Sequence, residues 1–259
     1  MKAKVRIPTI TTPRLILRAF TEEDVDPFHH ILGDRDVLRY FPNTNPPSRD
    51  QVQKMVSGQL KHWAEHGYGW WAVEPYTEKN LAPFGRKVLH RVSRPSGAQQ
   101  SCLPVRNTQK GAHSLAGQAD CSAVTLEEGI SPSNKPRHYG ISKKFRNVKF
   151  IGWCGLQYLP ETEEVEVAYL LGKAYWGKGL ATEAAQASLR YGFEDLGLES
   201  IVGIVHLENK ASQRVLEKLG LTVVEQAHYF GMDCYRYLIE RSFYENASQN
   251  KVERGSSTW

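Results

Sequence analysis

Two glycines flanking a lysine, Gly177-Lys178-Gly179, separate a short apolar run, Val165–Leu171 (VEVAYLL), from an Ala- and Leu-rich stretch, LATEAAQASLRYGF. The first run reads as a strand and the second as an amphipathic helix. Glycines let the backbone approach a ligand, the first N–H groups of a helix have no intrahelical acceptor, and the macrodipole favours negative charge. The junction is therefore either an anion cradle suited to a phosphate or a tight turn without ligand. A Walker loop is excluded, because Gly-Lys-Gly-Leu lacks its spacing and its magnesium-binding hydroxyl. A dinucleotide fingerprint fits poorly, with Thr182 at the third glycine and no acidic residue closing a second strand. Lys178 either screens phosphate charge or is a solvated surface lysine. Thr182 puts a hydroxyl in the first helical turn, and Glu183 reads as structural, favourable to the helix dipole.

Two further pairs carry chemistry. Glu164 and Glu166 alternate along the strand and so share one face. They are either an ordinary exposed face or, at Glu166, a general base at the edge of a cleft. Asn209 and Ser212 stand three apart before VLEKLGL, and Asn209 is a competent N-cap for a helix over Lys210–Leu219.

The surrounding elements follow from periodicity. Arg14–Arg18 (RLILR) alternates as a first strand. Thr21-Glu-Glu-Asp24 opens a short helix through His30. Pro42–Pro47 is a loop, and Ser48 with Gln51 forms a capping box. Val52, Met55, Val56, Leu60 and Trp63 continue that helix at helical spacing up to Gly67. Gly69–Glu74 and Lys149–Gln157 read as strands, as does Ser200–His206. The helix after Gly179 should run to Leu196, and Leu221–Glu225 with Asp233–Glu240 should close the sheet.

Between Pro75 and Asn147 neither period is sustained. A structureless connection of that length is rare inside a compact domain, so it reads as an insertion into a hairpin turn, where long loops cost little entropy. Residues 80–148 hold eleven Lys and Arg against three acids, a net +8 that exceeds the whole chain's +5. The composition predicts a disordered basic segment, with a weak RNA or ribosome contact or a folded subdomain as its alternatives. Elsewhere no apolar run approaches a membrane span, the N-terminus lacks a signal peptide's apolar centre, and four scattered cysteines (Cys102, Cys121, Cys154, Cys234) give neither zinc spacing nor a disulfide framework. A reduced, cytoplasmic protein without membrane contact or metal is the expectation.

The run AYLL…YWGKGLATEA, followed by HLENKASQRVLEKLGL, resembles the GNAT acyl-CoA-dependent N-acetyltransferases. It is most similar to the RimJ/RimL-like branch, which acetylates ribosomal-protein N-termini and related amines. The resemblance covers Pro13–Val73 and Lys149–Glu240. It implies an α/β fold with a mixed, mostly antiparallel central sheet flanked by helices. A discontinuous domain over 10–74 and 149–241 would be interrupted by a low-order insertion at 75–148 and followed by a flexible tail at 242–259. It also implies acetyl-CoA as co-substrate. The backbone of Tyr169, Leu170 and Leu171 would take the pantetheine amides and polarise the thioester. Gly177, Lys178, Gly179, Leu180, Ala181 and Thr182 would form the pyrophosphate loop, and Asn209 would bond pantetheine.

The chain departs from the family twice. Ala174 stands where the loop usually carries Gln or Arg, and Leu216 stands where many members carry a tyrosine that protonates the leaving thiolate. The thiolate would then leave unassisted, or through Ser212 or water. The acceptor would be a primary amine, either a protein N-terminus or a small molecule. An α-amine with pKa near 7.8 is neutral about 14% of the time at pH 7, against roughly 0.04% for a lysine. It therefore needs less help from Glu166 acting through water. His228, Tyr229, Phe230, Trp70, Trp71 and Trp153 could line the acceptor pocket or be ordinary core and loop aromatics. Two other readings stay open: a non-catalytic acyl-CoA-binding module, and a ribosome- or RNA-associated protein acting through its basic segment.

Overall fold

The computed structural model describes residues 6–76 and 150–253. The chain order is β1 (Ile10–Thr11), β2 (Leu15–Arg18), α1 (Val25–Leu32), α2 (Arg35–Leu38), α3 (Arg49–His66), β3 (Trp70–Pro75), β4 (Gly152–Leu159), β5 (Glu164–Leu171), α4 (Leu180–Arg190), β6 (Ser200–His206), α5 (Lys210–Lys218), β7 (Thr222–Tyr229), β8 (Met232–Glu240) and α6 (Arg241–Glu253). Eight strands form one sheet in the order β1-β2-β3-β4-β5-β6-β8-β7. Every neighbouring pair is antiparallel except β5 with β6. This is the mixed, mostly antiparallel architecture expected. The expected insertion lies, from Thr77 onward, outside the described residues.

Strand alternation divides the core into two clusters. Leu156, Val167, Ile201, Val205 and Tyr237 pack with Ala184, Ala185 and Leu189 of α4 and Leu216 of α5. On the other face, Ala72, Trp153 and Leu170 meet Val25, Phe28 and Leu32 of α1 and Val52 and Val56 of α3. The α3 capping box forms as read: Ser48 Oγ accepts from the Gln51 N–H at 3.3 Å and the Ser48 N–H donates to Gln51 Oε1 at 2.6 Å. Leu60, expected on the apolar stripe, is exposed to solvent instead.

Several boundaries differ from expectation. α4 stops at Arg190, and a widened turn follows, with the Leu196 N–H bonded to the Tyr191 carbonyl five residues back. The described part of the expected tail is helical as α6. Arg241 anchors it by donating to the carbonyls of Phe193 and Leu198, and the Tyr244 ring stacks on Phe193 at 4.7 Å. A polar composition concealed those anchors. No helix among the described residues is long and apolar enough to cross a membrane.

The N-terminal strands are locked by a buried ion triad. Arg18 donates to both oxygens of Asp24 at 2.6 and 2.7 Å and to Glu74 at 2.6 Å, and both carboxylates are buried. Asp24 also accepts from the Thr21 N–H at 2.7 Å. Two carboxylates in low dielectric are tolerable only with their cation. Arg18→Ala should therefore cost about 3 kcal/mol, read as a lowered denaturant midpoint. A midpoint within error of wild type would rule out this role.

Candidate active site

β5 and β6 pair in parallel at one register position, Glu166 opposite Val202, and diverge beyond it. The wedge opens towards the C-terminal ends of both strands. A cleft of about 310 Å³ fills it, reached by residues from both faces of the sheet. Register defines the sides. Gln157 on β4 stands opposite Glu166 on β5, and Arg236 on β8 stands opposite Ile204 on β6 while its guanidinium pairs with Glu164. Glu166, Gln157, Trp153, Ile204 and His206 thus share one face. Tyr169 is displaced by an odd number of residues and lies on the other face, with α5.

Glu166 is buried at the root of the wedge, 5% exposed. One carboxylate oxygen accepts from the Ile204 N–H at 3.2 Å, replacing a ladder bond that the diverging strands no longer make. The other accepts from Gln157 Nε2 at 2.5 Å, and Gln157 Oε1 accepts from the Trp70 indole at 3.0 Å. An indole can only donate, so Trp70 fixes the amide and obliges Gln157 to present N–H to the carboxylate. Burial pushes the Glu166 carboxyl up to about 7, with the two N–H donors opposing the rise. Glu164 is a different group. It is half-buried and paired with Arg236, whose hydrogen bond holds it below the usual carboxylate range. The two glutamates share a face but not a role, and Glu166 is not on an exposed face.

On the opposite side, the Tyr169 hydroxyl lies 2.8 Å from Ser212 Oγ and donates to the Ser212 carbonyl at 3.2 Å. Burial raises the Tyr169 phenol above its ordinary value. Asn209 caps α5 by accepting the Ser212 N–H at 3.1 Å. Both faces therefore bring a proton-handling group to one cleft: Glu166 on one and the Tyr169–Ser212 pair on the other.

Of the residues singled out from sequence, Glu166, Tyr169, Asn209 and Ser212 line the cleft. Leu170 and Leu171 have buried side chains, so only their backbone can face a ligand; the Leu171 carbonyl already accepts from the Trp176 indole at 2.7 Å. Gly177, Lys178, Gly179, Leu180, Ala181 and Thr182 stand apart from the cleft lining, at the N-terminus of α4. Gly177 and Gly179 have φ of 71° and 73°, which glycine adopts without strain, and open space surrounds Gly177 where a side chain would be. Gly177, Lys178 and Gly179 are all exposed to solvent. Lys178 sets its ammonium 5.7 Å above the Tyr175 ring.

Glu183 is structural, but in a stronger sense than dipole complementarity. It accepts from Thr12 Oγ1 at 2.6 Å, from the Arg14 N–H at 2.8 Å and from Arg14 Nε at 2.6 Å, while Arg14 Nη1 donates to the Lys178 carbonyl at 2.9 Å. Sequence reading missed Arg14 here, and it missed Gln157, Tyr40, Phe41, His206 and Met232 as cleft residues. Nothing local marks them: Arg14 and Glu183 lie 169 residues apart. Among the aromatics, Trp70 and Trp153 stack at 3.8 Å and line the cleft. Trp71 does not. It is fully buried on the opposite face against Trp63, its indole bonded to the Pro8 carbonyl.

Comparisons with known proteins bear on the family and fold of the chain. The model of the acetyltransferase (GNAT) domain matches residues 14–99 and 119–222. The uncharacterized N-acetyltransferase YoaA of Bacillus subtilis is 34% identical over 213 residues, covering 82% of either chain. YkkB of B. subtilis is 36% identical over 89 residues, 32% of this chain and 52% of its own, so the chain spans about half the length of that relative. The spermidine N(1)-acetyltransferase of Escherichia coli K12 is 38% identical over 74 residues, 27% of this chain and 40% of that one. In fold, the chain resembles an acetyltransferase from Agrobacterium tumefaciens at a TM-score of 0.58 and 18% identity, covering 91% and 95% of the two chains. RimL, the ribosomal L7/L12 α-N-protein acetyltransferase, is similar at 0.54 and 14%, covering 90% and 98%. With both the family model and YoaA spanning most of its length, the chain belongs to the GNAT family of acetyltransferases.

Proposed function

We propose that the chain transfers acetyl from acetyl-CoA directly to a primary amine. The observation that carries this reading is the wedge between β5 and β6, with a buried carboxylate on one face and a hydroxyl pair on the other. The residues present fit acetyl-CoA. The open Gly177–Gly179 cradle at α4 offers backbone N–H groups to the pyrophosphate, and the unpaired edge of β5 beyond Glu166 offers a ladder to the pantetheine amides.

The amine enters from the Glu166 face. Its nitrogen forms the C–N bond to the thioester carbonyl carbon, and its proton passes to the Glu166 carboxylate, directly or through one water. A carboxyl pushed up to about 7 is a better proton acceptor at neutral pH than an ordinary one. When the C–S bond breaks, the sulfur takes a proton from Ser212 Oγ, backed by Tyr169, and solvent restores it. Tyr169 thereby puts a phenol beside α5 although Leu216 removes the tyrosine expected there. Holding amine and thioester together in the wedge supplies much of the remaining acceleration. No cysteine nucleophile takes part in this direct transfer.

Calorimetry should show acetyl-CoA binding to the full chain. Glu166→Gln should keep that binding while lowering kcat by about 10²-fold. Binding without turnover over a broad amine panel would favour the acyl-CoA-binding module instead. Arg14→Ala should raise the KM for acetyl-CoA by about tenfold with a smaller change in kcat, because it frees the loop that Glu183 and Arg14 brace. An unchanged KM would make that brace irrelevant to the loop.

The Glu166 carboxyl also sets a stability signature. It ionises near 4.5 when unfolded and near 7 when folded, so its contribution is fully present below about pH 4.5 and is lost as pH rises through 7. Glu166→Gln should therefore gain on the order of 3 kcal/mol relative to wild type between pH 4.5 and 7. Denaturant midpoints measured without acetyl-CoA test this, and parallel curves would contradict it.

A further inference from the structure

The hairpin joining β7 to β8 makes a costly residue choice at the mouth of the cleft. Tyr229 pairs with Met232, leaving a two-residue loop in which Phe230 and Gly231 both have positive φ, 54° and 79°. A loop of this shape favours Asn-Gly or Asp-Gly. A bulky residue in the left-handed region is an outlier. Phe230 stays half-exposed, at 48%, with its ring 6.3 Å from that of Tyr229, and it lines the cleft. A side chain kept against local preference beside a site points to a ligand contact.

The rest of that mouth matches it. Tyr40, Phe41, Met232 and the stacked Trp70–Trp153 pair also line the cleft. Glu166 is the one carboxylate among the described lining residues. Glu164 on the same face is paired with Arg236, while Asp233 beside the hairpin is solvent-exposed and hydrogen-bonded to His228 at 3.1 Å. A polyamine such as spermidine carries about three positive charges at neutral pH, since alkylamines titrate near 10.4. One carboxylate cannot balance them, whereas aromatic walls suit a flat apolar group.

We propose that the acceptor is a primary amine carried close to a flat apolar group, an arylalkylamine, with Phe230 as a specificity-determining contact across the cleft from Trp70 and Trp153. This rests on the acetyl-transfer reading above.

Tryptamine, spermidine and seryl-glycyl-glycinamide should be compared as acceptors with acetyl-CoA, for wild type and Phe230→Asn. Tryptamine should show a kcat/KM about tenfold or more above the other two. Phe230→Asn places a residue suited to the turn, so its melting temperature should equal or exceed that of wild type. Its KM for tryptamine should nevertheless rise about tenfold, with acetyl-CoA affinity by calorimetry unchanged. An unchanged KM for tryptamine in this variant, or spermidine or the peptide used as well as tryptamine, would overturn the proposal while leaving acetyl transfer standing. Failure of the wild type to bind acetyl-CoA would overturn both.

Discussion

The structure depends on two parallel strands that touch once and then part. Parallel neighbours in a sheet normally continue their ladder, and interrupting one exposes backbone donors and acceptors that must find partners. Here the break is capped at its root by a side chain: the Glu166 carboxylate takes the N–H of Ile204 that the ladder leaves behind. That substitution puts a charge-bearing group where only backbone would otherwise be, and burial then shifts its titration to about 7. The opening of the cleft and the tuning of its carboxylate are thus one event.

Everything else positions the two sides of that break. Trp70 orients Gln157, which completes the shell of Glu166, and α5 is capped by Asn209 so that Ser212 faces Tyr169. Tyr169 and Glu166 are three residues apart on one strand, so they emerge on opposite faces of the sheet. A carboxylate and a phenol can therefore be held by a single rigid strand without colliding. The loop that would receive phosphate is braced from the opposite end of the chain, through Arg14 and Thr12.

Much of the fold was legible because it is local. The strand at Glu164–Leu171, the helix capped by Asn209 and the capping box at Ser48 follow from periodicity and short-range polar contacts, and the structure has them where the spacing puts them. The extent of α4 was not legible, since the switch to a widened turn at Tyr191 leaves the apolar spacing nearly unchanged. In the site, the alternation that paired Glu164 with Glu166 was right about direction and silent about burial. Burial depends on what β4, β6 and β8 place overhead, and Arg236 and Gln157 differ in ways no local pattern records. Trp70 and Trp71 show the limit most plainly: adjacent in sequence, they serve opposite faces, and only the register of β3 decides which enters the cleft.

The order of the sheet carries a consequence for biosynthesis. Arg18, Asp24 and Glu74 all lie in the first stretch of chain to leave the ribosome, so that ion triad can close early around β2 and β3. β3 must then wait for β4, its other neighbour, which is translated only after residues 77–149. During that interval β3 is an open edge bearing Trp71, Ala72 and Val73, the kind of surface that templates unwanted strand pairing. Arg14, made among the first residues, finds Glu183 only once most of the chain exists. The brace between Arg14 and Glu183 therefore cannot close until both β3 and the residues after it have been made.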